Sequence, residues 1–127
     1  MNRNGKSFAR DGDLAWEAAG EGVRREVLTY ADGIMMVRVD FETGTVGPPH
    51  SRPHVQCSLV ESGVFDIMIA GRTERLGPGG SFLVPADAVH GAANVEAGTL
   101  LDVFTPMRAD FVSTEAPPQM PRSPSLR

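Results

Sequence analysis

Between residues 35 and 41 the chain alternates. Met35, Val37, Val39 and Phe41 are apolar, and Met36, Arg38 and Asp40 stand between them. A period of two places one set on a buried face and predicts a β-strand. Val27 and Leu28 mark a partner strand before it, joined through the turn Ala31-Asp32-Gly33, and Thr43-Gly44-Thr45 ends the pair. Further apolar runs cover 55–60 and 64–69, with a bend at Gly63 and a hairpin tip at Ala70-Gly71. Short strands at 73–76, 81–85, 92–95 and 99–104 complete the series, the turn Gly77-Pro78-Gly79-Gly80 separating the first two. Short strands at regular spacing with Gly and Pro between them predict an all-β sandwich or barrel. No ten-residue segment carries a helical stripe.

The two ends read differently. Residues 1–19 form a polar lead-in that could serve as an edge or exchanged strand, and Trp16 could cover a sheet face or a partner subunit. The stretch 16–25, with Gly20 and Gly22, predicts an irregular edge rather than a helix. Residues 20–112 hold the barrel. Residues 113–127 contain four prolines and almost nothing apolar, which predicts a flexible tail.

Composition narrows the class. A chain of 127 residues is the size of one domain and can bury a core without staples. The formal net charge is −4 and the basic residues are scattered, which argues against a nucleic-acid partner. No run approaches the ~20 apolar residues of a membrane span. The basic start is followed by no apolar run, and the single cysteine, Cys57, suits a reducing compartment. The expected location is the cytoplasm. Cys57 itself, like Met35, Met36 and Met68, is expected in core packing, and Glu61 at a solvated turn.

The chemistry lies with the histidines, of which there are three. His50 and His54 belong to the run His50-Ser51-Arg52-Pro53-His54-Val55-Gln56, and His90 follows a Gly-rich turn. If 50–56 is a strand, residues 50, 52, 54 and 56 share a face. Two imidazoles and an amide would then meet a third imidazole from another strand, a donor set for a divalent transition metal such as Zn, Ni, Mn or Fe. Arg52 stands among them and cannot ligate, because its guanidinium offers no lone pair and stays protonated. Three arrangements accommodate it. Arg52 swings out and His54 takes its place, the metal keeps three protein ligands, or the metal is lost and Arg52 grips a substrate carboxylate. By the same alternation Asp102 and Phe104 should line the cavity, with Leu101 and Val103 facing the core between sheets. An Asp so placed can move a proton. Arg108 should reach over the mouth and bind a carboxylate bidentately.

The spacing resembles that of the cupin family over both of its motifs. The first reads Gly44, His50, Arg52, Gln56, Gly63, and the second reads Gly79, Pro85, Asp87, His90, Asn94, with residues 64–78 between them. The resemblance covers roughly residues 20–112 and implies a cupin jelly-roll barrel. Within that family the wording is similar to small single-domain cupins of the KdgF-like, pectin-degrading group. The matching segments are His50-Ser51-Arg52-Pro53-His54-Val55-Gln56, Pro85-Ala86-Asp87-Ala88-Val89-His90-Gly91, and Leu101-Asp102-Val103-Phe104-Thr105-Pro106-Met107-Arg108.

What the resemblance implies is a metal held by His50, Gln56 and His90, with Arg52 where a further histidine belongs. It also implies an acid/base Asp102, with Phe104 and Arg108 shaping the substrate end. The implied activity turns 4,5-unsaturated uronate monomers into an open-chain keto sugar, so the expected partner is a small acidic substrate. A homodimer is expected by the same analogy. Two other classes stay open: a different metal-cupin oxygenase or isomerase, and a non-catalytic binder of small acids in which Arg52 has replaced the metal.

Overall fold

A computed structural model describes residues 5–12 and 14–112; the tail expected at 113–127 and the first four residues lie outside the described residues. The strands are β1 (Glu17–Gly20), β2 (Val23–Ala31), β3 (Ile34–Phe41), β4 (Val46–His50), β5 (Val55–Ile69), β6 (Arg72–Leu76), β7 (Ser81–Val84) and β8 (His90–Thr105). A 3-10 turn, Ala109–Phe111, follows. Every pairing among the described residues is antiparallel.

Two long strands organise the barrel. β5 and β8 pair with each other from Val55↔Thr105 to Ile69↔His90. Each changes its other partner halfway. β5 pairs first with β7 and then with β6, and β8 pairs first with β4 and then with β3. One continuous sheet therefore folds into two layers, β1-β2-β3-β8-β5-β7 and β4-β8-β5-β6, which is a jelly roll. The runs read from sequence as separate strands at 55–60 and 64–69 are one bent strand, as are 92–95 and 99–104. Register shifts between Val60 and Phe65 absorb the bend without ending the ladder.

The corner needs two glycines. Gly63 has φ +81°, and a Cβ there would lie 2.6 Å from the Glu96 carbonyl oxygen; a Cβ on Gly98 would overlap the Ser62 carbonyl. The backbones of β5 and β8 touch at this point, and a side chain on either would hold them apart.

The alternation of β3 is reproduced: Met35 and Val37 are fully buried and Val39 nearly so, facing inward. Register then lines up inward-facing rows across β3, β8 and β5. Phe104 stands between Met35 and Gln56, Asp102 between Val37 and Ser58, and Leu100 between Val39 and Val60. Phe41 and Phe65 meet edge to face at 5.1 Å and join the two core clusters. Apolar rows fill one end of the barrel; the other end is open and polar.

Several expectations change here. Residues 51–54 are not strand, because β4 stops at His50 and β5 starts at Val55. Pro53 cannot donate to a ladder, and the segment is held instead by Asp87 N–H donating to the Arg52 carbonyl at 2.7 Å. Cys57 is exposed rather than packed in the core. Leu101 and Val103 are half-buried on the outer face and belong to neither core cluster. β1 is an edge strand beside β2, and Trp16, just before it, is buried with the Arg24 guanidinium 4.0 Å from its ring.

Candidate active site

The open end encloses a cavity of about 540 Å³ lined by His50, Arg52, Gln56, His90, Asp102, Phe104 and Arg108. Of the residues expected to form the site, only His54 is absent from this lining. Its Nε2 lies 3.2 Å from the Met107 carbonyl, and its ring stands edge-on to Phe104 at 6.3 Å. The parity argument placed it with the ligands, but the loop at 51–54 ends the alternation that argument assumed.

His50 and His90 come together because they are register partners on β4 and β8. Their ring centroids are 4.3 Å apart. Each Nδ1 is 3.0 Å from a backbone carbonyl, of Pro48 for His50 and of Ala88 for His90. A carbonyl only accepts, so each Nδ1 donates its proton there, and Nε2 is the nitrogen left for another partner. This is the anchoring that metal-binding histidines show. Burial, and then the charges of His50, Arg52 and Arg108, hold the His90 pKa below the ordinary histidine value despite its bond to Ala88. His90 is therefore neutral at pH 7, as a ligand must be.

Gln56 donates from Nε2 to Ser58 Oγ at 3.0 Å, which leaves its amide oxygen for another partner. Two imidazoles and one amide oxygen fit a divalent ion that keeps open positions for substrate. Among the described residues no group of three His, Cys, Asp or Glu gathers as a metal site, so any such ion would rest on neutral donors. Arg52 lines the same cavity. Burial, then the charges of Arg108 and Arg25, lower its pKa, with Asp110 opposing them.

Asp102 is buried on the cavity wall with Val37 on one side and Ser58 on the other. Burial raises its pKa to about 6, against bonds from Ser58 and Gln56 and the charge of Arg108, all of which favour the ionised form. Ser58 Oγ donates to Asp102 Oδ1 at 2.6 Å. A carboxyl that titrates near neutrality can both take and return a proton.

Arg108 is buried, not solvated. Its Nε and Nη2 donate to the two carboxylate oxygens of Asp110 at 3.0 and 2.7 Å. Burial would raise the Asp110 pKa, but these bonds outweigh it and hold the carboxyl below its ordinary value. The bidentate edge expected to meet a substrate is thus already engaged.

Two residues missed in the sequence complete the site. Ser58 does not line the cavity but bonds Gln56 and Asp102, which do; it shares the face of Gln56 by strand parity, and that parity could have found it. Arg25 lines the cavity, and no local pattern announces it.

Residues 37–104 match the cupin domain family. The chain is a cupin. It is 36% identical over 104 residues to the pectin degradation protein KdgF of Dickeya dadantii, an alignment covering 80% of this chain and 94% of that protein. Among solved structures, an RmlC-like cupin from Shewanella frigidimarina superposes with TM-score 0.82 at 33% identity, covering 85% of this chain and 98% of that one. KdgF from Halomonas sp. superposes with TM-score 0.79 at 33% identity, covering 84% and 98%. Both cupin motifs border the cavity. Asp87, where the second motif has glycine, keeps the left-handed backbone at φ +64°, a conformation Asp tolerates better than most residues. Asn94 is structural here, donating to the Glu96 carbonyl at 2.7 Å near the corner.

Proposed function

We propose that this cupin converts 4,5-unsaturated uronate monomers to the open-chain keto sugar. The observation that carries this reading is a buried acid titrating near pH 6 in the same cavity as two imidazoles with free Nε2 atoms and a guanidinium with no ion-pair partner among the described residues. Its similarity to proteins named for pectin degradation supports the substrate class.

The reaction is an isomerisation and needs only proton movement. Ionised Asp102 takes the proton of the anomeric hydroxyl; C1 becomes a carbonyl as its bond to the ring oxygen breaks. The released electron pair forms the C5 carbonyl, and C4 receives a proton from the Asp102 carboxyl. No atom is gained or lost. Ser58 and Gln56 hold Asp102 in place through both stages. Phe104 walls the ring site, and Arg52 takes the uronate carboxylate, Arg108 adding its charge. His50, Gln56 and His90 would hold a divalent transition metal, which would supply Lewis-acid polarisation of a substrate oxygen.

Incubation with 4,5-unsaturated galacturonate, with divalent metal supplied, should remove the enol-ether absorbance. An unchanged rate on adding protein rejects the activity. A second reading has a specific observation behind it: Arg52 faces the cavity in a ligand's place, as in a metal-free binder of small acids. Metal-free protein that binds uronate without consuming it would favour that reading.

We also place the protein in the cytoplasm as a homodimer. Leu59, beside Leu101, and Leu83, in one row with Cys57 and Val103, are exposed on the outer sheet face, which supports the pairing, and sedimentation at the monomer mass would reject it. Among the described residues no helix is long and apolar enough to cross a membrane.

A further inference from the structure

Three guanidinium groups line the open end of the cavity: Arg25 from β2, Arg52 from the 51–54 loop and Arg108 beside the 3-10 turn. They are not equivalent. Arg108 gives Nε and Nη2 to Asp110. Arg25 gives Nε to Glu17 at 2.8 Å, and Glu17 has a buried side chain. Arg52 closes no ion pair with a described residue, and the charges of both Arg108 and Arg25 act against its own. Asp110 offsets these charges in part, and an anionic ligand between the guanidinium groups would offset them further.

Phe111 fixes the geometry. The Arg25 guanidinium carbon lies 3.8 Å from its ring centroid and that of Arg108 lies 4.0 Å away, so one ring is shared by two cations. Stacking on the ring and pairing through Nε leave Arg25 little rotational freedom. Its two terminal nitrogens make no side-chain bond among the described residues, so the donors of this cation are rigid and available. A preorganised fork of this kind suits a planar carboxylate.

We propose that Arg25 is a specificity-determining residue, closing with Arg52 on the carboxylate of a monomeric uronic acid while Arg108 stays committed to Asp110. This rests on the proposed function for the identity of the sugar, not for the presence of the subsite. It assigns carboxylate selection to a residue outside both cupin motifs, on β2, which lies between the edge strand β1 and β3.

Calorimetric titration of the full chain with galacturonate and with galactose tests it, because the two sugars differ only in the carboxylate. The wild type should prefer galacturonate. Arg25→Gln should weaken galacturonate binding by roughly tenfold or more, the size of a lost charge-assisted bond, and leave galactose binding unchanged. Equal galacturonate affinity in variant and wild type overturns the proposal, as does a wild type that does not distinguish the two sugars. Because Glu17 loses its partner in this variant, Arg25→Lys is run beside it. If only the lysine variant folds, weaker galacturonate binding supports the subsite and unchanged binding sinks it. Turnover of unsaturated galacturonate by the wild type is followed separately. Selective binding without turnover removes the reaction and keeps the subsite; turnover with an unaffected Arg25→Gln affinity does the reverse.

Discussion

Ser58 and Asp102 are register partners on β5 and β8, and the serine hydroxyl donates to the carboxylate at 2.6 Å. Burial raises the acid while this bond lowers it. Ser58→Ala removes one of the influences that lower it, leaving those of Gln56 and Arg108, so the Asp102 pKa should rise beyond about 6. The acid limb of the pH–rate profile should move to higher pH, with activity at pH 6 falling more than at pH 8. A limb that stays in place would show that Asp102 does not set it.

Asp102 also costs stability. Its folded pKa of about 6 lies above its ordinary 3.8, so the unfolded chain gives up this proton first. The group's contribution is most favourable below pH 3.8, declines as pH rises, and reaches its full cost above about pH 6. The shift corresponds to on the order of 2–3 kcal/mol for a buried group. Asp102→Asn should therefore abolish turnover yet melt higher than wild type at pH 8, with the gain shrinking towards pH 4. Thermal melts in chelator across that range check it; a pH-independent difference would contradict the buried-carboxyl account.

Much of this site was legible because strand parity is a local rule. Alternation put Val37 on the buried face and Asp102 with Phe104 on one face, which lines the cavity. Yet Leu101 and Val103, the residues used to choose that face, lie on the outer side and not in the core. The motif intervals likewise brought His50, Gln56 and His90 around one cavity. His54 was misplaced for the same reason: parity holds only while a strand continues, and Pro53 interrupts it. Cys57 was misread because opposite parity from Gln56 was equated with burial, whereas the outer face of β5 is exposed. The bend that makes β5 and β8 continuous needs contact between Gly63 and Gly98, distant in sequence. Arg25 joins the cavity only through the packing of β2 against the turn at Ala109–Phe111. Neither relation leaves a local trace.

That corner gives a structural prediction. Gly98→Ala places a methyl against the Ser62 carbonyl and the Gly63 backbone, which no rotamer can relieve. The cost should be on the order of 3 kcal/mol, as for other overpacked buried sites. Urea unfolding should show the midpoint falling with little change in slope. A variant as stable as wild type would mean that β5 and β8 do not touch there.

Arg52 bears on the metal binding proposed for this site. His50, Gln56 and His90 line the cavity as the donors that would hold an ion, and a fixed positive charge lines the same cavity. At about 4 Å, two like charges repel by roughly 4 kcal/mol for an effective dielectric near 20, enough to weaken binding by orders of magnitude. Arg52→His removes that charge and adds an imidazole. Chelator-stripped protein titrated with Zn²⁺ or Ni²⁺ should then bind at least about tenfold more tightly than wild type. The same substitution should weaken galacturonate binding, because it deletes the one cavity guanidinium without an acidic partner among the described residues. The two effects are opposite in sign and read on different ligands. Tighter metal binding with unchanged acid affinity would leave Arg52 as a charge beside the metal and remove it from the substrate site. Unchanged metal affinity would place its side chain away from the imidazoles.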